Sequence, residues 1–230
     1  MCLCLLAGRM VTAQEATEEP FELPRMIYGN EAELTNNILL TIDDCADEYL
    51  TRQMFEFLVE KGIVATFFPN TSYMIQEDPQ LWRDIVDAGF EIGYHTRLHE
   101  AYMSEEQLDE DFALFQEEVR DTLDDQTYSI TLVRPPYGIW DDSWIAWTEA
   151  NDFHTVRWNL AARAHLDIDY VDAVMSNMEQ GGRIILLHPR QTDMWWLEAH
   201  TDELLALRDE DGQPYRFTTV SEAFQDEELP

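Results

Sequence analysis

The feature that most constrains this chain is a repeated alternation of short, apolar, β-favouring runs with longer segments of helical periodicity. The first run is Ile38-Leu39-Leu40-Thr41-Ile42, as expected of a strand covered on both faces. Thr51 is placed to cap a helix whose apolar residues Met54, Phe55, Phe57 and Leu58 stop at Gly62. A strand over 64–68 follows. Asp78-Pro79 then opens a helix with Trp82, Ile85 and Val86 on one face and Gly89 at its end, proline suiting the first helical position. After a brief strand over 91–94, Ser104 and Gln107 form a capping box ahead of a helix that aligns Leu108, Phe112, Phe115 and Val119. The pattern continues with a strand near 130–133, a helix from Asp141, a strand near 154–158 and a helix from about Val171. A strand over 184–187, a helix near 195–207 and a short strand near 217–220 complete it. Alternation at this spacing predicts an α/β fold with a parallel sheet, either open or closed into a barrel.

A chain of 230 residues with 45% hydrophobic content supports one sizeable core. Residues 1–20 read differently. A short apolar run, Leu3 to Ala7, and the ending Val11-Thr12-Ala13 suit a signal peptide, although no basic residue precedes the run. The acidic stretch Gln14 to Pro20 reads as a flexible leader, so secretion is expected and residues 21–230 are expected to form a single, monomeric domain. Nothing approaches the ~18 apolar residues that a membrane span needs. With 47 acidic against 14 basic residues, the formal net charge of −33 repels phosphate backbones and anionic lipid, which argues against nucleic-acid and membrane partners. Either a strongly solvated surface or adaptation to high salt accounts for that acidity. The cysteines, Cys2, Cys4 and Cys45, make neither a zinc-binding pair nor a disulfide framework.

The polar residues that break the pattern fall just beyond the carboxyl ends of strands, the rim where catalytic groups collect in parallel α/β folds. Asp43 and Asp44 follow the first strand. In extended chain their side chains point to opposite sides, so the two carboxylates can take different roles; a solvated acidic turn is the bland alternative. His95 and His99 stand at i and i+4, and two imidazoles with one carboxylate suit zinc or a neighbouring ion while leaving positions for water. In Arg134-Pro135-Pro136-Tyr137-Gly138 the prolines fix an extended path and Gly138 allows a sharp turn, an arrangement able to hold the Tyr137 backbone N–H toward a ligand. The Arg134 fork can clamp a carboxylate bidentately, with Asp43 the natural candidate. His188, ending the run Ile184 to Leu187, can serve as a general acid or be purely structural.

Taken in order, T-I-D-D, H-T-x-x-H, R-P-P-Y-G and L-L-H resemble the motifs of the polysaccharide deacetylases, the family-four carbohydrate esterases. The resemblance runs from about Ile38 to His188 and plausibly to Val220. It implies a distorted (β/α) barrel with fewer than eight strands, a metal site at the carboxyl rim, and N- or O-deacetylation of a glycan. By motif match, Asp44, His95 and His99 bind a divalent ion, zinc by default with cobalt or nickel as alternatives. Asp43 is then the catalytic base, Arg134 orients it, and His188 is the acid. Leu186 lines a pocket for the acetyl methyl, the Tyr137 N–H holds the oxyanion, and Trp158 lies on the substrate side. The implied substrate is a carbohydrate polymer or oligosaccharide, first chitin or peptidoglycan, then acetylated xylan.

One departure stands out. The family usually places an aspartate partner for the catalytic histidine after the fifth strand, whereas here Trp158 to His165 contains none. Asp193 is the leading substitute, ahead of Asp167 and Asp169. Cys45 adjoins Asp44, but an adjacent side chain points away from a shared ion. Two rivals remain: a metal-dependent phosphohydrolase, which has no need of R-P-P-Y-G and L-L-H, and a deacetylase-derived carbohydrate-binding protein that has lost its acid step.

Overall fold

The structure is a computed structural model that describes residues 25–29, 36–74, 78–162, 183–209 and 211–224. The leader over 1–20, the helix from about Val171, and Asp167 and Asp169 lie outside these residues. In chain order the first half comprises β1 (Met26–Ile27), β2 (Asn37–Asp44), α1 (Glu48–Lys61), β3 (Thr66–Pro69), α2 (Thr71–Met74), α3 (Pro79–Asp87), β4 (Glu91–Ile92) and α4 (Glu105–Leu123). The second half comprises β5 (Leu132–Val133), α5 (Asp142–Ala150), β6 (His154–Val156), β7 (Leu160–Ala161), β8 (Ile184–Leu187), α6 (Gln191–Ala206), β9 (Arg216–Phe217) and α7 (Val220–Ala223).

Every ladder between these strands is parallel. One sheet runs β4-β3-β2-β8-β7, with β9 on the start of β2, and the other runs β1-β6-β5. A lone parallel bridge between Tyr94 and Val133 joins them on one side. On the other, the chain itself passes from β6 into β7. The strands therefore make a circuit that the ladders, among the described residues, do not close.

Side-chain alternation sorts the core into two. Ile38, Leu40 and Ile42 of β2, with Phe67, Val133, Ile185 and Leu187, pack against the helices. Leu39, Phe68, Leu132, Val156 and Ile184 pack together on the opposite face. Burying each such side chain contributes about 1.5–3 kcal/mol. Period two then carries that opposite face onward to Thr41 and Asp43 on β2, to Arg134 beyond β5 and to Leu186 on β8. At the strands' carboxyl ends the inner face becomes polar.

Local signals mostly hold. The Asp78 cap with Pro79 in the first turn, the Ser104–Gln107 capping box and the left-handed Gly62 stop are all present. Thr51 is not the cap of α1. Asp47 is, its carboxylate accepting from Leu50 N at 2.9 Å, while Thr51 sits inside the helix and donates to the Asp47 carbonyl at 2.7 Å. The last strand also stops short of Val220, because Thr219 accepts from Glu222 N and starts α7 instead.

Candidate functional site

Asp43 and Asp44 end β2, the central strand, whose register pairs Asp43 with Phe68 and Asp44 with Pro69. Asp43 is buried at 3% exposure, and its charge is met by Arg134, which is wholly buried. Arg134 Nη1 donates to Asp43 Oδ1 at 2.6 Å and to Thr41 Oγ1 at 2.9 Å. Its Nε and Nη2 donate to the carbonyls of Val156 and Arg157 at 3.0 and 3.1 Å, and its plane lies 4.3 Å from the Phe68 ring centre. The grip on Asp43 is thus single, not the bidentate fork expected, because Thr41, the Val156 carbonyl ending β6 and the Arg157 carbonyl after it take the other donors. A buried guanidinium with its donors spread over the ends of two strands, β2 and β6, is fixed in orientation, and Asp43 with it.

Asp44 faces two imidazoles, and Asp43 Oδ2 also lies 3.7 Å from the Nε2 of one of them, His95. Asp44 Oδ1 lies 3.3 Å from His99 Nε2 and 3.6 Å from His95 Nε2. That oxygen is buried and has no hydrogen-bond partner. His95 Nδ1 stands 2.8 Å from the Arg134 carbonyl, which can only accept, so Nδ1 is the donor there and Nε2 is the ring nitrogen turned toward the carboxylate. One ligand atom from each of Asp44, His95 and His99 lies within 4.8 Å of the others. A buried acceptor left without a donor is expensive unless something else satisfies it, and a carboxylate with two neutral imidazoles suits a divalent cation. The residues fit the ion that the motifs imply.

Electrostatics agree with that fit. Burial pushes the Asp44 carboxyl up, but the neighbouring His95, His188 and His99 outweigh it and bring it down to about 2. The His99 imidazole is pushed down by burial and by the charge of His95 against the pull of Asp44 and Asp43, which favours the neutral ring that a cation needs. Burial and the two carboxylates hold the Cys45 thiol well above its usual range. Its Sγ lies 3.9 Å from the carbonyls of Ile42 and Asp43, turned into the core, as an adjacent side chain should be.

Backbone strain concentrates here. Asp44, Cys45, Thr96, His99 and Tyr137 all have φ between 57° and 68°. Left-handed conformation at a non-glycine residue costs on the order of 1–3 kcal/mol and persists only where surroundings over-determine it. For the His95–His99 segment the surroundings are visible. Asn70 Nδ2 donates to the carbonyls of His95 and Thr96 at 2.9 and 3.0 Å, and Thr96 Oγ1 accepts from Glu100 N at 3.0 Å.

The remaining predicted residues gather round the same point. His188 Nε2 lies 3.9 Å from Asp44 Oδ2, and its Nδ1 lies 3.7 Å from Asp193 Oδ2. Tyr137 packs its ring edge-on against His99 at 4.4 Å. Leu186 is in register with Thr41 and is 7% exposed. Trp158 is half-buried, 5.5 Å from the guanidinium of Arg134 and against the R-P-P-Y-G turn. Sequence reasoning missed Asn70, Thr41 as a partner of Arg134, and Arg190, whose Nη2 reaches Asp44 Oδ2 at 3.4 Å. No local pattern marks an asparagine that braces a loop twenty-five residues away.

The sequence model of one family, described as polysaccharide deacetylase, matches residues 31–156, more than half of the chain. The chain is 30% identical over 204 residues to a peptidoglycan-N-acetylglucosamine deacetylase of Bacillus cereus, covering 83% of this chain and 90% of that one. It is 30% identical over 155 residues to a chitooligosaccharide deacetylase of Sinorhizobium fredii, covering 66% and 71%. The fold resembles that of a CE4 family pseudoenzyme from Bacillus anthracis, with TM-score 0.65, 22% identity and coverage of 88% and 70%. With motifs, fold and relatives in agreement, the chain belongs to the polysaccharide deacetylase family, the family-four carbohydrate esterases.

Proposed function

We propose that this protein is a metal-dependent hydrolase that removes acetyl groups from a glycan, N-acetylglucosamine units of chitin or peptidoglycan foremost and acetylated xylan second. The observation that carries the reading is Asp44 Oδ1, buried, unpartnered and facing two imidazole nitrogens, beside a second carboxylate fixed by Arg134.

Asp44, His95 and His99 would hold the ion, zinc by default, with cobalt or nickel as alternatives. Such an ion polarises an acetyl carbonyl and lowers the pKa of water toward about 7. The chain's own groups supply the proton traffic. Asp43, oriented through Oδ1, has Oδ2 left to accept the proton of an attacking water. As the water oxygen bonds to the acetyl carbon, the carbon–nitrogen bond breaks and the leaving nitrogen takes a proton from His188. The products are acetate and a free amine. The Tyr137 N–H, carried on the strained turn, would meet charge growing on the former carbonyl oxygen, and Leu186, at the rim of the inner face, would meet the acetyl methyl. In place of the family's usual aspartate, Asp193 supplies the carboxylate behind His188.

The test is acetate release from chitooligosaccharides, peptidoglycan and acetylated xylan. Activity should vanish with chelator and return with Zn2+, Co2+ or Ni2+. Turnover that survives thorough chelation, or turnover only of phosphate esters, overturns the reading.

A further inference from the structure

Between the two histidines lies Arg97, and both its backbone and its partly exposed side chain are held by neighbouring elements. Arg97 N donates to Asp111 Oδ2 at 2.9 Å, and the same oxygen accepts from the buried Tyr94 hydroxyl at 2.8 Å. The Arg97 guanidinium forks onto Glu118, with Nε to Oε2 at 2.9 Å and Nη2 to Oε1 at 2.5 Å. The Arg97 carbonyl accepts from Ser72 N at 3.1 Å. Asp111 and Glu118 stand seven residues apart on α4, two turns of helix, so both project from one face toward the loop. Tyr94 in turn stacks on Trp144 and meets Phe115 edge-on, which ties the Asp111 grip to the core.

We infer that Asp111 and Glu118 are positioning residues for the cation site: by gripping Arg97 at its N–H and its guanidinium, α4 holds the strained His95–His99 loop in the conformation that presents both Nε2 atoms to Asp44. This rests on the proposed reading of Asp44, His95 and His99 as ligands. The physical case is that Thr96 and His99, at φ 60° and 59°, relax toward ordinary backbone if the anchor between them is released. Such a relaxation would carry the two Nε2 atoms away from a shared point. Glu118 is drawn below its usual range against the effect of burial, chiefly by its bond to Arg97, and so meets the guanidinium as a carboxylate. Glu118 touches none of the three ligands, and Asp111 reaches them only through the loop.

The experiment is Zn2+ affinity of metal-free protein, by competition with a chromogenic chelator, for the unaltered chain, Asp111→Ala, Asp111→Asn, Glu118→Ala and Arg97→Ala. Removing partners of this kind weakens metal binding by about 10- to 100-fold, and that loss is expected for the three alanine variants. Asp111→Asn keeps an oxygen for both donors and should bind nearly as the unaltered protein does. At saturating Zn2+ the variants should regain most of their kcat with KM for a chitooligosaccharide unchanged. Should Asp111→Ala fail to fold, Glu118→Ala decides, since its carboxylate is partly exposed. Folded alanine variants with unaltered Zn2+ affinity overturn the inference alone. An unaltered protein that binds no Zn2+ overturns the metal-site reading and the inference with it.

Discussion

Asp193 accepts a hydrogen bond from the backbone N–H of His188 at 2.8 Å, and the same carboxylate oxygen lies 3.7 Å from His188 Nδ1. One side chain thus fixes where β8 ends and faces the ring that follows. Asp193 occupies the first turn of α6, where the helix dipole favours a negative charge, and it is buried at 3% exposure. In the proposed mechanism this carboxylate is the one behind the ring assigned as the acid.

Asp193→Asn separates the two duties. Its amide oxygen can still accept from the His188 N–H, while the charge is gone. The fold should persist and N-acetyl hydrolysis should fall by on the order of 10²-fold, the scale of a general acid's contribution. An amine must be protonated to leave, whereas an alkoxide leaves more readily, so O-acetyl hydrolysis should fall less. Parallel assays on chitooligosaccharide and acetylated xylan give the ratio; equal losses, or none, remove Asp193 from the mechanism.

Arg134→Leu tests the strut beneath Asp43. The change strands a buried carboxylate whose paired guanidinium lay 2.6 Å away, and it also frees the Val156 and Arg157 carbonyls. Losing one partner of a buried pair costs about 3–5 kcal/mol. Denaturant unfolding should register that loss, whereas Asp43→Asn, which keeps an acceptor for Nη1, should unfold nearer to the unaltered protein while releasing no acetate. A fully stable Arg134→Leu would show that Asp43 does not depend on it.

How far this was legible follows from which forces are local. Strand–helix alternation, the Asp78 and Ser104 caps and the placement of Asp43, His95, Arg134 and His188 at or just past strand ends are written in short windows, although the first strand runs on through Asp43 and Asp44 where the sequence pattern ends it at Ile42, and the structure brings those four side chains together. Asp193 was readable as a substitute because it lies five residues from His188. Asn70, Asp111 and Glu118 were not, since their partners lie 14 to 26 residues distant and nothing in their own neighbourhoods marks them. The short β1 was equally hidden, because two residues, Met26 and Ile27, carry no periodicity; their order comes from pairing with Thr155 and Val156.

At the opposite, amino-terminal end of the strands, Glu91 should give stability a pH dependence. It accepts from Thr66 Oγ1 at 2.9 Å and from Ser221 N and Oγ, tying α7 to β3 and β4. Burial raises its carboxyl above the usual 4.5, against hydrogen bonds that lower it. The folded state therefore holds this proton more tightly than the unfolded chain does. Its stabilising contribution is complete below pH 4.5 and is lost as pH rises through the higher folded value. Glu91→Gln lacks that loss. The Tm of Glu91→Gln minus that of the unaltered protein should grow between pH 4 and 7, and a difference that is flat or shrinks would refute the assignment.

Gly138 is the last position where geometry forces a residue type. Its φ is 68°, and a Cβ built there would lie 2.7 Å from Trp158 Cη2, while its carbonyl accepts from Arg157 Nη1 at 2.6 Å. Alanine would have to adopt left-handed backbone and displace an indole held between the guanidinium groups of Arg134 and Arg157, each 5.5 Å from it. The strain alone is on the order of 1–3 kcal/mol. Because the turn carries Tyr137, whose ring rests on His99, its shift should reach the site as well. Gly138→Ala should melt at lower temperature and show reduced kcat with Zn2+ still bound. Full activity in a stable Gly138→Ala protein would mean that the Tyr137 turn can move without consequence, and with it the N–H assigned to the oxyanion.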